Sequence, residues 1–588
     1  MFEPTILIDD AAHGRASLFT RPRGIICAHT PEEVPAALGA LETLREMGLY
    51  AAGYFSYELG YVLEPVLTQR LPAKRDVPLL WFGVFDAPER ITNIDAFFDA
   101  HCTGRASAGP VRYDWNAEAY KERFTCIRNL IAAGDLYEAN LTFQAGLTVF
   151  GDPLTLYRTL RARSVMPHGA YVDDGERRIL SLSPELFFDI THDVITARPM
   201  KGTAPRMPDR RDDDMMRGAL FNSAKDRAEN LMIVDLMRND LSRIAQAGSV
   251  TASDLFTVET YPTVHQMVST ITAQIKAGSS VRDIVRALFP CGSITGAPKI
   301  RAMEVLQETE NVPRGVYTGS IGYFAPDGDA RFNVAIRTLT ITGPRDGIAE
   351  GRIGIGSAVV YDSDAAGEYA ECLMKARYLT EGQPMLSLIE TLNYTPGTGF
   401  IRLERHMTRL IASASALHIP LDKNAAEQAL QDAVQDTDQP LRVRLALRVD
   451  GEISVTTAAL PAPATSWSYS VSPVTIRSTD IFARHKTNLR TLYESEYARQ
   501  HAESGCDEVL FLNEKGELAE GSRSNIFVRR DGVLLTPPLS SGALPGVLRQ
   551  ELIETGQAQE AVLTEADLKD ELWLGNSLRG LIRACPIT

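Results

Sequence analysis

Cysteine is scarce in this chain of 588 residues: seven, at 27, 102, 126, 291, 372, 506 and 585, with no Cys-x-x-Cys pair. That excludes a disulfide framework and a thiolate zinc site, and predicts reduced thiols. Long apolar runs are also missing, and none approaches the roughly 20 residues a membrane span needs. Positive charge is in deficit, with 60 Lys and Arg against 75 Asp and Glu and a net charge of −15. Nucleic acid and anionic membranes are therefore not expected partners, because both need a positive footprint. The opening Met1-Phe2-Glu3-Pro4 has no basic segment, which predicts a cytoplasmic protein without a secretory leader. Repeats and low-complexity tracts are absent too.

What is there is an ordinary soluble composition, 44% hydrophobic and 23% charged, over a length that suits about three to four domain-sized units. The stretch Tyr378 to Pro384 follows a helix and breaks its periodicity, so a boundary falls near 380. Before it, strand-like runs (51–57, 179–190, 352–361) and helix-like runs (118–133, 222–246, 281–287) alternate irregularly, which predicts a large mixed α/β domain at 1–380, divided into 1–115 and 116–380. After it, strand-like runs at 441–448, 508–512 and 524–530 and helices at 403–417 and 488–503 predict an α+β domain at 385–588.

Several clusters carry chemistry. Pro199-Met200-Lys201-Gly202-Thr203 places an amine at a strand end, and Glu185 in Ser183-Pro184-Glu185-Leu186-Phe187 precedes it by one strand and turn, so nucleophile and acid converge on one cleft. Residues 225–244 read as an amphipathic helix with Leu231, Met232, Leu236 and Met237 among its apolar positions and Glu229 one turn away. Glu368, Glu371 and Lys375 share a helix face; that spacing alone describes a solvated acidic face or, with Glu229, a magnesium site of hard oxygen ligands. Neither Gly354-Ile355-Gly356-Ser357 nor Gly292 to Lys299 has the full dinucleotide or triphosphate pattern. In the second half, Lys486 stands at a strand-to-helix transition, Glu520 ends a hairpin arm, and Gly546-Val547 opens a helix whose free N–H groups suit a phosphate. Lysine, carboxylate and phosphate cradle are what pyridoxal phosphate requires.

In order, Gly53 to Glu58, Ser183 to Phe187, Pro199 to Thr203, Ala228-Glu229-Asn230, Arg238-Asn239-Asp240, Gly292 to Lys299, Ile336-Arg337-Thr338 and Glu371 to Lys375 resemble the chorismate-utilising enzymes over most of 1–380. Within that family, the lysine of Pro-x-Lys-Gly-Thr resembles the branch that makes aminodeoxychorismate, where anthranilate-forming members carry alanine. The resemblance implies that Lys201 adds to C2 of chorismate while Glu185 protonates the departing C4 hydroxyl, with His265 near that hydroxyl. It also implies magnesium on Glu229, Glu368 and Glu371, and substrate carboxylates held by Tyr317, Arg337, Gly354, Gly356 and Lys375. Glu138 stands where ammonia-using relatives have glutamine and water-using ones lysine. No glutaminase signature is present, so ammonia comes from solution or from a separate glutamine amidotransferase. Residues 385–588, with His406 to Leu410 upstream of Lys486, resemble the fold-type IV pyridoxal enzymes, which include aminotransferases and 4-amino-4-deoxychorismate lyase. That implies covalent attachment of pyridoxal phosphate through Lys486, with Glu520 on the ring nitrogen. Arg409, Gly546, Val547 and Ser577 would hold the phosphate, with Thr391 assisting proton transfer and a homodimer forming through this domain. The expectation is 4-aminobenzoate synthesis from chorismate in two steps. An anthranilate-forming enzyme, a fusion to a true aminotransferase and a non-catalytic subunit remain as rivals.

Overall fold

The computed structural model describes residues 4–102, 104–261, 264–345 and 347–587; the reading of Met1 to Glu3 lies outside them. The first domain is built on two stacked antiparallel sheets. One runs in the order 296–297, 138–151, 348–359, 338–345, 177–183, 168–173, 5–10, 15–19 and 89–91, and the other in the order 200–205, 264–274, 194–198, 186–191, 330–333, 320–324, 50–55, 80–85 and 24–28. Ile6, Phe19, Tyr54, Trp81, Val172 and Ile321 fill the space between the sheets. Helices including Ala117–Ala132, Lys299–Glu310 and Ala365–Ala376 cover the outer face of the first sheet, while Val34–Glu46, Ala224–Ser242 and Val281–Leu288 cover the second. Strands from the expected 1–115 unit pair directly with 168–173 and 320–324, so that part is continuous with the rest rather than a separate layer.

Two sequence expectations shift. The run 179–190 is two strands, Arg177–Ser183 and Leu186–Thr191, in different sheets. Pro184 has no N–H for a ladder, so the chain leaves one sheet and joins the other there. The helix Ala224–Ser242 buries Ile233, Val234, Met237 and Leu241, while Leu231 is 44% exposed. Buried Asn230, whose Oδ1 accepts from Ser269 Oγ at 2.5 Å, sets that rotation.

The second domain has a four-stranded sheet (399–400, 387–395, 441–448, 453–459) under the helices Leu403–Ala416 and Lys423–Asp432, and a mixed eight-stranded sheet from 518–521 to 558–560. Its strands match the expected 441–448 and 508–512 residue for residue. Lys486, however, follows the short 3-10 helix Ile481–Arg484 and lies in a loop, not at a strand end. Among the described residues no helix is long and apolar enough to cross a membrane.

Arg314 is the buried fastener of the first domain. Its side chain is 2% exposed and its fork grips Glu310, with Nη2 to Oε1 at 2.6 Å and Nε to Oε2 at 2.8 Å. The remaining donors reach Ile294 O (2.9 Å) and Asn140 O (2.7 Å), which ties the 292–294 loop to the strand Glu138–Gly151. Removing one partner of such a pair leaves an uncompensated buried charge. Arg314→Leu is expected to lose about 3–5 kcal/mol of stability, read as a lower urea midpoint for the first domain.

Candidate active site

The first site forms where the chain crosses between sheets. Glu185 sits on one crossing and Arg337, with φ 49°, on another. The Val334 amide donates to Glu185 O at 3.0 Å and the Leu182 amide to Arg337 O at 3.1 Å, so the two crossings lie side by side. The Glu185 carboxyl is buried and accepts from Ser293 Oγ at 2.6 Å and from the Met200 amide. Burial pushes its pKa up to about 7, against the Ser293 hydrogen bond and the Lys201 charge. It is therefore a carboxyl that holds its proton near neutrality, as a general acid must.

Lys201 lies one residue beyond Met200 in the strand Met200–Pro205, and its Nζ donates to Glu138 Oε1 in a short charged contact. Burial works to strip the Lys201 proton, but Glu138, then Glu229 and Glu185, outweigh it and hold the amine above its ordinary pKa. The other Glu138 oxygen, Oε2, is buried without a hydrogen-bond partner among the described residues. Gly202 has φ +83°, and an added Cβ would meet Asp226 at 2.9 Å, so glycine lets the Glu229 helix close on this strand. Gly296, at φ +143°, similarly admits the backbone at Glu138.

The Arg337 guanidinium has no carboxylate partner among the described residues and donates only to Met166 Sδ at 3.5 Å. Burial depresses its pKa. A desolvated, unpaired guanidinium fork is suited to an anionic ligand. Tyr317 is buried against Gly354, where an added Cβ would fall 1.9 Å from its ring. Lys375 donates to Gly356 O at 2.9 Å and pairs with Glu371 at 2.7 Å, so it braces the strand and the helix rather than standing free. His265 is buried with Nδ1 3.0 Å from Thr260 Oγ1 and Nε2 2.9 Å from Asp213 Oδ1; both nitrogens link elements of the fold.

Among the described residues no group of three or more His, Cys, Asp or Glu side chains gathers as Glu229, Glu368 and Glu371 were expected to. Glu368 accepts from Ser363 Oγ at 2.8 Å and is thereby tied to its own helix start. Glu229 and Glu371 differ from it. Burial and neighbouring Glu138 raise the Glu229 pKa, while burial of Glu371 is outweighed by Lys375 and Lys201. Both feel the Lys201 charge, and two such carboxylates suit magnesium, which takes one or two protein carboxylates together with water and substrate oxygen.

The second site centres on Lys486. Its Nζ donates to Thr391 Oγ1 at 3.2 Å, and burial followed by the Arg409 charge lowers its pKa to about 7. Arg409 grips Glu390 (Nε 2.9 Å, Nη2 2.6 Å) and reaches Pro545 O at 3.1 Å, beside the Gly546-Val547 helix start. His406 bridges Glu390 (2.5 Å) and Ser577 Oγ (2.8 Å). Arg409, Gly546, Val547 and Ser577 are thus brought together. Burial raises the pKa of Glu520, eased by Arg490, Tyr493 and Arg105, and its Oε2 accepts from the Leu544 amide at 3.3 Å. A neutral amine, a buried carboxyl and a helix start with arginine and serine form a donor set that fits pyridoxal phosphate. Sequence reasoning missed Ser293, Glu390, Arg490 and Tyr493 as members of these sites. Ser293, inside the Gly292 to Lys299 motif, and Glu390, adjacent to Thr391, carried a positional signal.

The family described as chorismate binding enzyme matches residues 3–381, and that described as amino-transferase class IV matches 387–587. The chain belongs to the chorismate binding enzyme family, with a class IV aminotransferase-like domain following. Aminodeoxychorismate synthase of Streptomyces griseus is 44% identical over 286 residues, 48% of this chain and 38% of that protein. Aminodeoxychorismate synthase component 1 of Klebsiella aerogenes is 38% identical over 346 residues, 55% of this chain and 75% of that one. The chain therefore spans well under half of the first relative's length and three quarters of the second's. Anthranilate synthase component I from Streptococcus pneumoniae TIGR4 shares the fold, with a TM-score of 0.52, 22% identity and coverage of 64% of this chain and 92% of that one.

Because the Glu185 pKa is raised to about 7, its acid form is present below that pH and lost above it. The first reaction should show a kcat/KM limb that falls above about pH 7, and Glu185→Gln should abolish that limb with a rate loss of about 100-fold or more.

Proposed function

We propose that the chain makes 4-aminobenzoate from chorismate in two reactions, one in each domain. The observation that carries the first is Lys201, bonded to the partly satisfied Glu138 and lying within the electrostatic reach of Glu185, whose pKa burial raises to about 7. Arg337 binds a substrate carboxylate, and Tyr317 packed on Gly354 shapes the wall beside it. Glu138 takes the Lys201 proton and frees the amine. The amine then bonds to C2 as the C4 hydroxyl, protonated by Glu185, leaves as water. Ammonia, accepted by the unpartnered Glu138 oxygen, bonds to C4 as the C2–N bond breaks; the new C4 ammonium returns a proton to Glu185, and Glu138 returns one to Lys201. Chorismate and ammonia thus become 4-amino-4-deoxychorismate and water. Magnesium on Glu229 and Glu371 would neutralise substrate carboxylate charge in this pocket. The ammonia source is a separate glutamine amidotransferase, a reading supported by the relative named as a component 1.

In the second reaction pyridoxal phosphate supplies the electron sink. Arg409, Ser577 and the helix start at Val547 would hold its phosphate, and Glu520 would keep the ring nitrogen protonated. Lys486, neutral near pH 7 and oriented by Thr391, takes the C4 proton of the substrate as enolpyruvate departs and the ring becomes aromatic. The products are 4-aminobenzoate and pyruvate.

Incubation with chorismate, magnesium, ammonium and pyridoxal phosphate should yield 4-aminobenzoate and pyruvate by chromatography and mass. Lys486→Ala should accumulate 4-amino-4-deoxychorismate, Lys201→Ala should make none of it, and chelation of magnesium should stop chorismate consumption. Anthranilate from the intact protein would overturn the first assignment; keto acid turnover that needs an amino donor would overturn the second.

A further inference from the structure

Arg105 belongs to the first domain by its main chain and to the second by its side chain. Its carbonyl accepts from the Asp152 amide at 3.2 Å. Gly151, with φ +83°, allows this approach, since an added Cβ there would fall 2.0 Å from that carbonyl oxygen. From this fixed point the guanidinium crosses over. Nε donates to Asp480 Oδ2 at 2.9 Å, and Nη1 donates to Leu489 O at 3.2 Å. The same group lies 5.6 Å from the ring centroids of both Phe482 and Tyr493. Asp480 and Arg105 are 9% and 15% exposed, so the pair is largely withdrawn from solvent.

Asp480 and Leu489 are the two ends of the loop that carries Lys486. Between them the loop is fixed to its own domain where the Ile389 amide donates to Lys486 O at 2.8 Å and the Asn488 amide to Ser387 O at 3.0 Å. One guanidinium therefore closes the loop from outside its domain. It also packs on Tyr493, whose hydroxyl eases the buried charge of Glu520. Phe150, from the same strand as Gly151, is buried among Leu388, Met407 and Phe482 of the second domain and holds the contact in register.

We infer that Arg105 is a positioning residue for the Lys486 site, so that the second site reaches its full order only with the first domain docked on it. The inference rests on the reading that Lys486 and Glu520 hold pyridoxal phosphate, and its test separates the two. The full-length protein, Arg105→Ala and Arg105→Lys are compared without cofactor by amide hydrogen exchange across 481–490, and with pyridoxal phosphate by the dissociation constant and the pH midpoint of the bound absorption band. Arg105→Ala should speed exchange in that loop, weaken cofactor binding about tenfold, equivalent to about 1.4 kcal/mol, and move the pH midpoint, while chorismate consumption stays within about twofold. Arg105→Lys should restore part of the exchange protection, since an ammonium can reach Asp480 but cannot also bridge to Leu489 and stack on both rings. Unchanged exchange and an unchanged midpoint in Arg105→Ala would overturn the inference. If the parent and Lys486→Ala bind no pyridoxal phosphate, the cofactor reading fails, and the exchange comparison still decides whether Arg105 orders the loop.

Discussion

The grip of Arg314 on Glu310 is the contact on which the first site depends. Its spare donors hold Asn140 O and Ile294 O, one or two residues from Glu138 and Ser293. Those two side chains are the immediate partners of Lys201 and Glu185. A buried ion pair of this kind is weak as a source of net stability but exacting about geometry, because losing either partner strands a charge. The acid and the amine thus take their positions from an ion pair one layer behind them.

The two lysines show the same chemical need met in opposite electrostatic settings. Both are buried, which by itself disfavours an ammonium. Around Lys201 the neighbours are carboxylates, and the proton stays until one of them removes it. Around Lys486 they are dominated by arginines, and the pKa falls to about 7. The roles proposed for them, a nucleophile that awaits substrate and a base that exchanges protons in every turnover, call for these two different resting states. Charge composition around the amine, more than depth of burial, sets the difference.

The domains are joined by more than a linker. Phe150 is buried in the core of the second domain, and Arg105 reaches the loop that carries Lys486. Burying a guanidinium at such a boundary is tolerable because its donors and its planar faces are both engaged. The boundary is consequently ordered at the level of individual hydrogen bonds, and the order reaches the second site.

The local pattern of the chain determined much of this. The strands at 441–448 and 508–512 were legible from their residue types, and short motifs singled out Lys201, Glu185, Lys486, Glu520 and Thr391 as candidates. What alternation could not reveal was that the break at Pro184 moves the chain from one sheet to the other, or that the apolar face of 224–242 excludes Leu231. Nor could spacing show that Glu368 turns to Ser363, that His265 is bonded through both nitrogens, or that Glu138 meets Lys201 across 63 residues of sequence. Arg314 and Arg105 were silent for the same reason. Their effects act through space, on partners fixed only when separate strands and two domains come into contact, and pKa values depend on that three-dimensional company. Sequence supplied the candidate groups; tertiary structure decided which are charged, which are paired and which residues hold them in place.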